Sequence, residues 1–222
     1  MSLLPQAGSI EAVLFDMDGT LILTEDRTDR AVLALLAEHE IEVPNDLDLS
    51  SFHGVTWATS ARNLKTRWPA LETVDIAGSL QRHFHQTFIV DLPPIVPGAV
   101  EALRAAAASF PVAIVTSSNR ETLELVCAQL RIEDLLAATV GAEDCSNSKP
   151  HPEPFLLGAE RVGVSPKGCL IFEDSGAGVE SGLASGATVI AVGSTSGHEP
   201  SIADYTDLPE DFFSSLEHEA SS

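Results

Sequence analysis

The stretch AVLFDMDGTLIL, residues 12–23, constrains this chain most: a short apolar run ends abruptly in two aspartates, Asp16 and Asp18. Like charges held close together are costly unless a cation pairs with them or chemistry requires them. Four more short apolar runs follow: PVAIVT (111–116), AATV (137–140), CLIF (169–172) and TVIAV (188–192). Runs of this length and continuity suit strands covered on both faces of a parallel sheet. Between them apolar residues recur at helical spacing, as in Val100, Leu103 and Ala107, then Leu123, Val126 and Leu130, then Phe155, Ala159 and Val162. Strand alternating with helix predicts an α/β fold with a doubly wound parallel sheet.

Residues 24–92 break the alternation. They carry no strand signal but three helical stripes: Val32, Leu35, Leu36 and His39; Trp57, Ala61, Leu64 and Trp68; Ala77, Leu80, Phe84 and Phe88. The stretch closes at DLPPIVPG, whose three prolines stiffen the boundary. It is too long for a loop inside a compact domain. The expected organisation is a catalytic α/β core from residues 1–23 and 93–222, with a helical cap domain of residues 24–92 inserted after the first strand. A short helix and an acidic tail are expected beyond Asp207.

A formal charge of −21 argues against nucleic-acid and anionic-membrane partners, which select basic surfaces. An anionic substrate must then meet a local cation. No run reaches the ~20 apolar residues of a membrane span, and the N-terminus lacks a secretory pattern. Three widely spaced cysteines, Cys127, Cys145 and Cys169, fit a reducing compartment, so a cytoplasmic protein is expected.

Ligands of open α/β sheets bind at the carboxyl ends of the strands. The polar residues that follow each apolar run therefore converge. Asp16 and Asp18 follow the first, Thr116, Ser117 and Ser118 the second, and Glu173 and Asp174 the CLIF run; Lys149 lies in the loop NSKPHPEP. Asp16, Asp18, Glu173 and Asp174 make an oxygen-rich site for Mg²⁺, a hard cation. Lys149 and the hydroxyls can hold phosphoryl oxygens. Asp16 is then placed as a nucleophile and Asp18 as an acid and base for the leaving alkoxide and the attacking water. Glu173 and Asp174 also suit the start of a helix near Ser175, a role compatible with metal binding.

With these residues assembled, the chain resembles the haloacid dehalogenase superfamily, in its capped branch of sugar-phosphate phosphatases and β-phosphoglucomutases. DMDGTL matches the first family motif, IVTSSN the second, KPHPEPF the third and IFEDSGAGVESGLASG the fourth. The resemblance implies an aspartyl-phosphate on Asp16, acid/base work by Asp18, phosphate contacts at Thr116, Ser117 and Ser118, and Mg²⁺ near Glu173 and Asp174. FHGVTWATSARNL resembles the cap loop that reads the organic part of the substrate, which singles out His53, Gly54 and Trp57. The implied substrate is a small sugar or polyol phosphate, and a monomer would suffice because the cap covers the site.

Other readings stay open at this point. A β-phosphoglucomutase-like mutase shares every core residue, although Trp57 stands where relatives often carry an arginine. A phosphorylated receiver module is shorter, lacks a helical cap and carries its aspartate on a later strand, and a catalytically inactive binding protein usually loses a motif residue, whereas none is missing here. Arg62, Lys65 and Arg67 read as a solvated helix face, and His83 and His85 as solvated histidines rather than a metal pair.

Overall fold

The structure, a computed structural model, describes residues 9–44, 46–53, 55–90, 93–193 and 197–219, with backbone alone at 88–90 and 217–219. Six parallel strands form the sheet: β1 (Ala12–Phe15), β2 (Val112–Val115), β3 (Ala138–Val140), β4 (Cys169–Glu173), β5 (Thr188–Val192) and β6 (Ser201–Ile202). Their order is β3-β2-β1-β4-β5-β6, the doubly wound arrangement expected from the alternation. The two-residue β6 was not anticipated; Ser201-Ile202 is too short for any periodicity to register. β4 runs one residue past CLIF, so Glu173 is the last residue of the strand rather than the first beyond it.

Alternate residues of each strand enter opposite apolar layers. Phe15, Ile114, Leu170, Phe172 and Ile190 enter one, which helices α4 (Ala99–Ser109), α5 (Arg120–Leu130) and α8 (Phe212–Glu219) help to fill through Leu103, Val126 and Phe213. Leu14, Val115, Ile171 and Val189 enter the other, with Phe155 and Ala159 of α6 (Glu153–Val162) and Val179 of α7 (Gly176–Ser185). Phe172 stacks on Phe15 at 5.1 Å between ring centroids and also meets Tyr205 and Phe213. The three described cysteines are free thiols. Among the described residues no helix is long and apolar enough to cross a membrane.

Between β1 and β2 the chain forms α1 (Glu25–Glu38), α2 (Trp57–Arg67) and α3 (Ile76–Val90), which pack chiefly on one another. Val32, Leu35, Leu36, Leu64, Leu80 and Phe84 are buried as their stripes predict. His39 is exposed at the end of α1, where the stripe runs out. The Phe88 side chain lies outside the described residues. The segments leading into and out of the insert run side by side: Leu23 N donates to Pro94 O at 2.8 Å and Val96 N to Leu21 O at 3.0 Å. His83 pairs with Glu38 inside the insert, and His85 Nε2 reaches Glu121 of α5 at 3.4 Å.

Phe172 is the central ring of the aromatic layer beneath the sheet. Truncating it to alanine is expected to lower unfolding free energy by about 3–5 kcal/mol in urea titration. A loss below about 1 kcal/mol would contradict this packing.

Candidate active site

The register of the sheet brings the polar strand exits together. β1 and β4 are paired level, Phe15 opposite Phe172, and Asp16 N donates to Phe172 O at 3.0 Å. Asp16 therefore leaves β1 beside Glu173 at the end of β4. Lys149, from the loop before α6, fills the space between them. Its Nζ donates to Asp16 Oδ1 at 2.6 Å, to Glu173 Oε1 at 2.8 Å and to the Val115 carbonyl at 3.1 Å. The ammonium also lies 4.7 Å from the Phe155 ring centroid. All three side chains are buried.

Each carboxylate is oriented by its own neighbours. Glu173 Oε2 accepts from Ser175 N at 2.7 Å and Ser175 Oγ at 3.0 Å, while Ser175 caps α7 by accepting from Gly178 N. Gly178 is needed for this approach: a β-carbon there would lie 1.6 Å from Glu173 Oε1. Asp174 Oδ1 accepts from the buried Thr20 hydroxyl at 3.2 Å. Gly19 carries a φ of +83°, and a β-carbon there would lie 2.2 Å from Asp174 Oδ2, so glycine is required on two counts. Asp18 Oδ2 accepts from Thr116 Oγ1 at 3.0 Å and Ser118 Oγ at 2.8 Å, and its Oδ1 is enclosed without a partner.

Asp16, Glu173 and Asp174 each offer an oxygen within 4.8 Å of the others. Three carboxylate oxygens at that separation fit a hard divalent cation with waters completing its shell. Asp18 stands outside this group, its carboxylate turned to the Thr116 and Ser118 hydroxyls.

The electrostatics fit a cation as well. Burial raises the Asp16 carboxyl to about 7, with Lys149 opposing the rise and Glu173 and Asp18 adding to it. Asp174 is pushed up to about 9, first by burial and then by Glu173 and Asp16. Asp18 is raised by burial against the hydrogen bonds of Ser118 and Thr116. Burial works to lower the Lys149 ammonium, but the charges of Asp16 and Glu173 overcome it and its pKa rises above the ordinary lysine value. Burial is thus the dominant condition of the site, and at Asp16 and Asp174 the neighbouring carboxylates add to it.

The sheet ends and the insert line one cavity. Asp16, Asp18, Ser117, Ser118, Lys149, Glu173 and Asp174 form its floor. Thr24, Thr28, Phe52, Val55, Trp57 and Phe84 form the opposite wall. Trp57, half-buried, sits at the start of α2, which Thr56 caps, and meets Phe84 edge to face at 5.1 Å. His53 opens onto an adjoining recess and is bound to Asp29 at 2.8 Å. Gly54 lies outside the described residues.

Every core residue singled out in the sequence therefore comes to this one place, with Ser117 on the floor and Thr116 held through Asp18. The sequence reading missed Thr20, Thr24, Thr28, Phe52, Val55 and Phe84. Thr24, just before α1, and Thr28 lie four apart and are both buried, which the sequence alone does not show. Arg62 bonds Thr59, Lys65 bonds the Glu72 carbonyl and Arg67 lies over Trp68; none lines the cavity.

A family model for haloacid dehalogenase-like hydrolases matches residues 10–186. Hexitol phosphatase A of Escherichia coli (strain K12) is 35% identical over 184 residues, 81% of each chain. Phosphoglycolate phosphatase of the same strain is 27% identical over 212 residues, 85% of this chain and 82% of that one. A crystal structure of β-phosphoglucomutase from Clostridium difficile superimposes with a TM-score of 0.79 at 22% identity, covering 95% of this chain and 98% of that one. The structural likeness supports the fold.

Asp16 and Asp174 keep protons in the folded state at pH values where unfolded aspartates, near 3.8, have lost them. The unfolded chain then binds fewer protons, so this contribution to stability is full below about pH 4 and is lost progressively as pH rises toward 9. Melting of metal-free protein is expected to fall from about pH 5.5 to 8.5, and Asp174→Asn should flatten the upper part of that fall. A divalent cation should raise the melting temperature more at the higher pH. A melting temperature that climbs across this window would contradict the charge balance described.

Proposed function

The chain belongs to the haloacid dehalogenase-like hydrolase family, and on that premise we propose that it is a Mg²⁺-dependent phosphatase of small sugar or polyol phosphates. The observation that carries this reading is Lys149 Nζ held between Asp16 and Glu173, with Asp18 two residues along the same strand exit and the whole cluster facing the insert. The names of the hexitol and phosphoglycolate phosphatases support phosphate-ester chemistry.

Asp16, Glu173 and Asp174 would hold the Mg²⁺. When bound, the ion supplies positive charge that offsets the carboxylates and the phosphoryl oxygens. The Asp16 carboxylate attacks phosphorus, and the bond from phosphorus to the ester oxygen breaks. Asp18 gives its proton to the departing alkoxide; burial keeps that carboxyl protonated to higher pH than an ordinary aspartate. Water then attacks the phosphorus of the aspartyl-phosphate as Asp18 takes its proton. Inorganic phosphate leaves and the Asp16 carboxylate is restored. Lys149 screens Asp16 from the incoming dianion and holds its carboxylate in line.

The hydroxyls of Thr116 and Ser118 each donate to Asp18 here, and a hydroxyl has one proton to give. Their contact with phosphate therefore requires Asp18 to release them, which couples substrate binding to freeing the acid. The residue 24–92 insert acts as the cap domain: opening admits substrate past the paired segments at Leu21–Leu23 and Pro94–Val96, and closure excludes bulk water. Mutase action needs a second phosphate site, and Lys149 is the one Lys or Arg among the described lining residues.

Phosphate release from a panel of hexitol, hexose and glycerol phosphates should be dependent on Mg²⁺ and stopped by EDTA. Asp16→Asn should lower it at least about 10³-fold, and Asp18→Asn should slow release while phosphoenzyme accumulates. Full turnover by Asp16→Asn would overturn the nucleophile; phosphate passed back to sugar without release would make the enzyme a mutase.

A further inference from the structure

The two halves of the cavity differ in charge. The floor carries four carboxylates and one ammonium, and that ammonium is already committed to Asp16, Glu173 and the Val115 carbonyl. The wall from the insert, formed by Thr24, Thr28, Phe52, Val55, Trp57 and Phe84, carries no charge. Nearby basic groups on the insert have other positions: His53 opens onto the adjoining recess and bonds Asp29, and Arg27 donates to the Thr87 carbonyl. Among the described residues that line the cavity Lys149 is the one cationic side chain, and the recess that shares Asp18, Thr24, Thr28 and Asp174 with it adds Glu25 and the His53 already paired with Asp29.

We infer that this wall selects the leaving group by charge: the organic part of the substrate is an uncharged polyol or sugar, and esters bearing a carboxylate or second phosphate are rejected. The inference rests on the phosphatase reading and deepens it. A second anionic group brought under the wall gives up water for aromatic and aliphatic carbon without a partner. It also faces the carboxylates of the floor at short range and low dielectric. Both effects act in the transition state as well as on binding, so they appear in kcat/KM. Hydroxyls meet no such penalty, because Thr28 lines the wall with a hydroxyl and Thr24, which bonds Asp18, keeps an acceptor, while the Trp57–Phe84 pair presents ring surface to the C–H face of a carbon chain.

The test uses pairs of esters that differ by one charge: sorbitol 6-phosphate against 6-phosphogluconate, and glycerol 3-phosphate against 3-phosphoglycerate. The uncharged member of each pair is expected to have kcat/KM about 100-fold higher. Ratios below about threefold, with both members hydrolysed, overturn the charge selection and leave the phosphatase reading standing. No release from either member of both pairs overturns the phosphatase reading, and the inference with it. Val55→Lys puts an ammonium on the wall and should raise the acid-to-neutral ratio at least about tenfold. Trp57→Lys is the alternative should the first variant fail to fold. A folded variant whose ratio does not move overturns the assignment of selection to this wall.

Discussion

One ammonium group organises the site. Lys149 Nζ bridges Asp16 and Glu173, which leave neighbouring strands side by side, and without it buried like charges would face each other across the sheet. Separating such a pair from its cation typically costs several kcal/mol. Burial is the main reason that Asp16 and Asp174 keep protons to unusually high pH, and the surplus of carboxylates around the one ammonium adds to it. A divalent cation would correct that imbalance, and its charge would make an incoming phosphate tolerable. Stability, metal affinity and the proposed chemistry share this one charge balance.

The fold serves that balance by register. β1 lies between β2 and β4, so the three strand ends that carry Asp16, Thr116 and Glu173 are adjacent. Backbone compactness does the fine work: Gly178 lets the start of α7 meet Glu173, and Gly19 lets the loop after β1 meet Asp174. The insert then closes the cavity with a wall of different chemistry. In the proposed reading the sheet supplies what is common to phosphoryl transfer, and the insert supplies the choice of alcohol.

Much of this was legible before any coordinates. Buried parallel strands are near-continuous apolar runs, so AVLF, VAIV and CLIF announced themselves, and the polar residue after each run is the one that the sheet delivers to the site. Lys149 was legible because basic residues are scarce in a chain of charge −21 and this one sits in a loop between strand and helix. The wall was harder. Phe52, Val55 and Phe84 read as ordinary core residues, and packing is indeed half of what they do: Phe84 is buried and also lines the cavity. Nothing in a one-dimensional pattern says which side of an apolar stripe meets substrate. The hydrogen bonds between Asp18 and the hydroxyls of Thr116 and Ser118 were likewise invisible, because they join residues about a hundred positions apart.

In the proposed mechanism Asp16 carries the phosphoryl group, and finding that group there is the most direct test. Asp18→Asn protein would be incubated with Mg²⁺ and a turned-over ester, quenched, reduced with borohydride and digested for mass spectrometry. An acyl phosphate on Asp16 is reduced to homoserine, so the peptide containing residue 16 should show that conversion only when substrate was present. An unmodified residue 16 in protein that still releases phosphate, or homoserine at another position, would contradict the account.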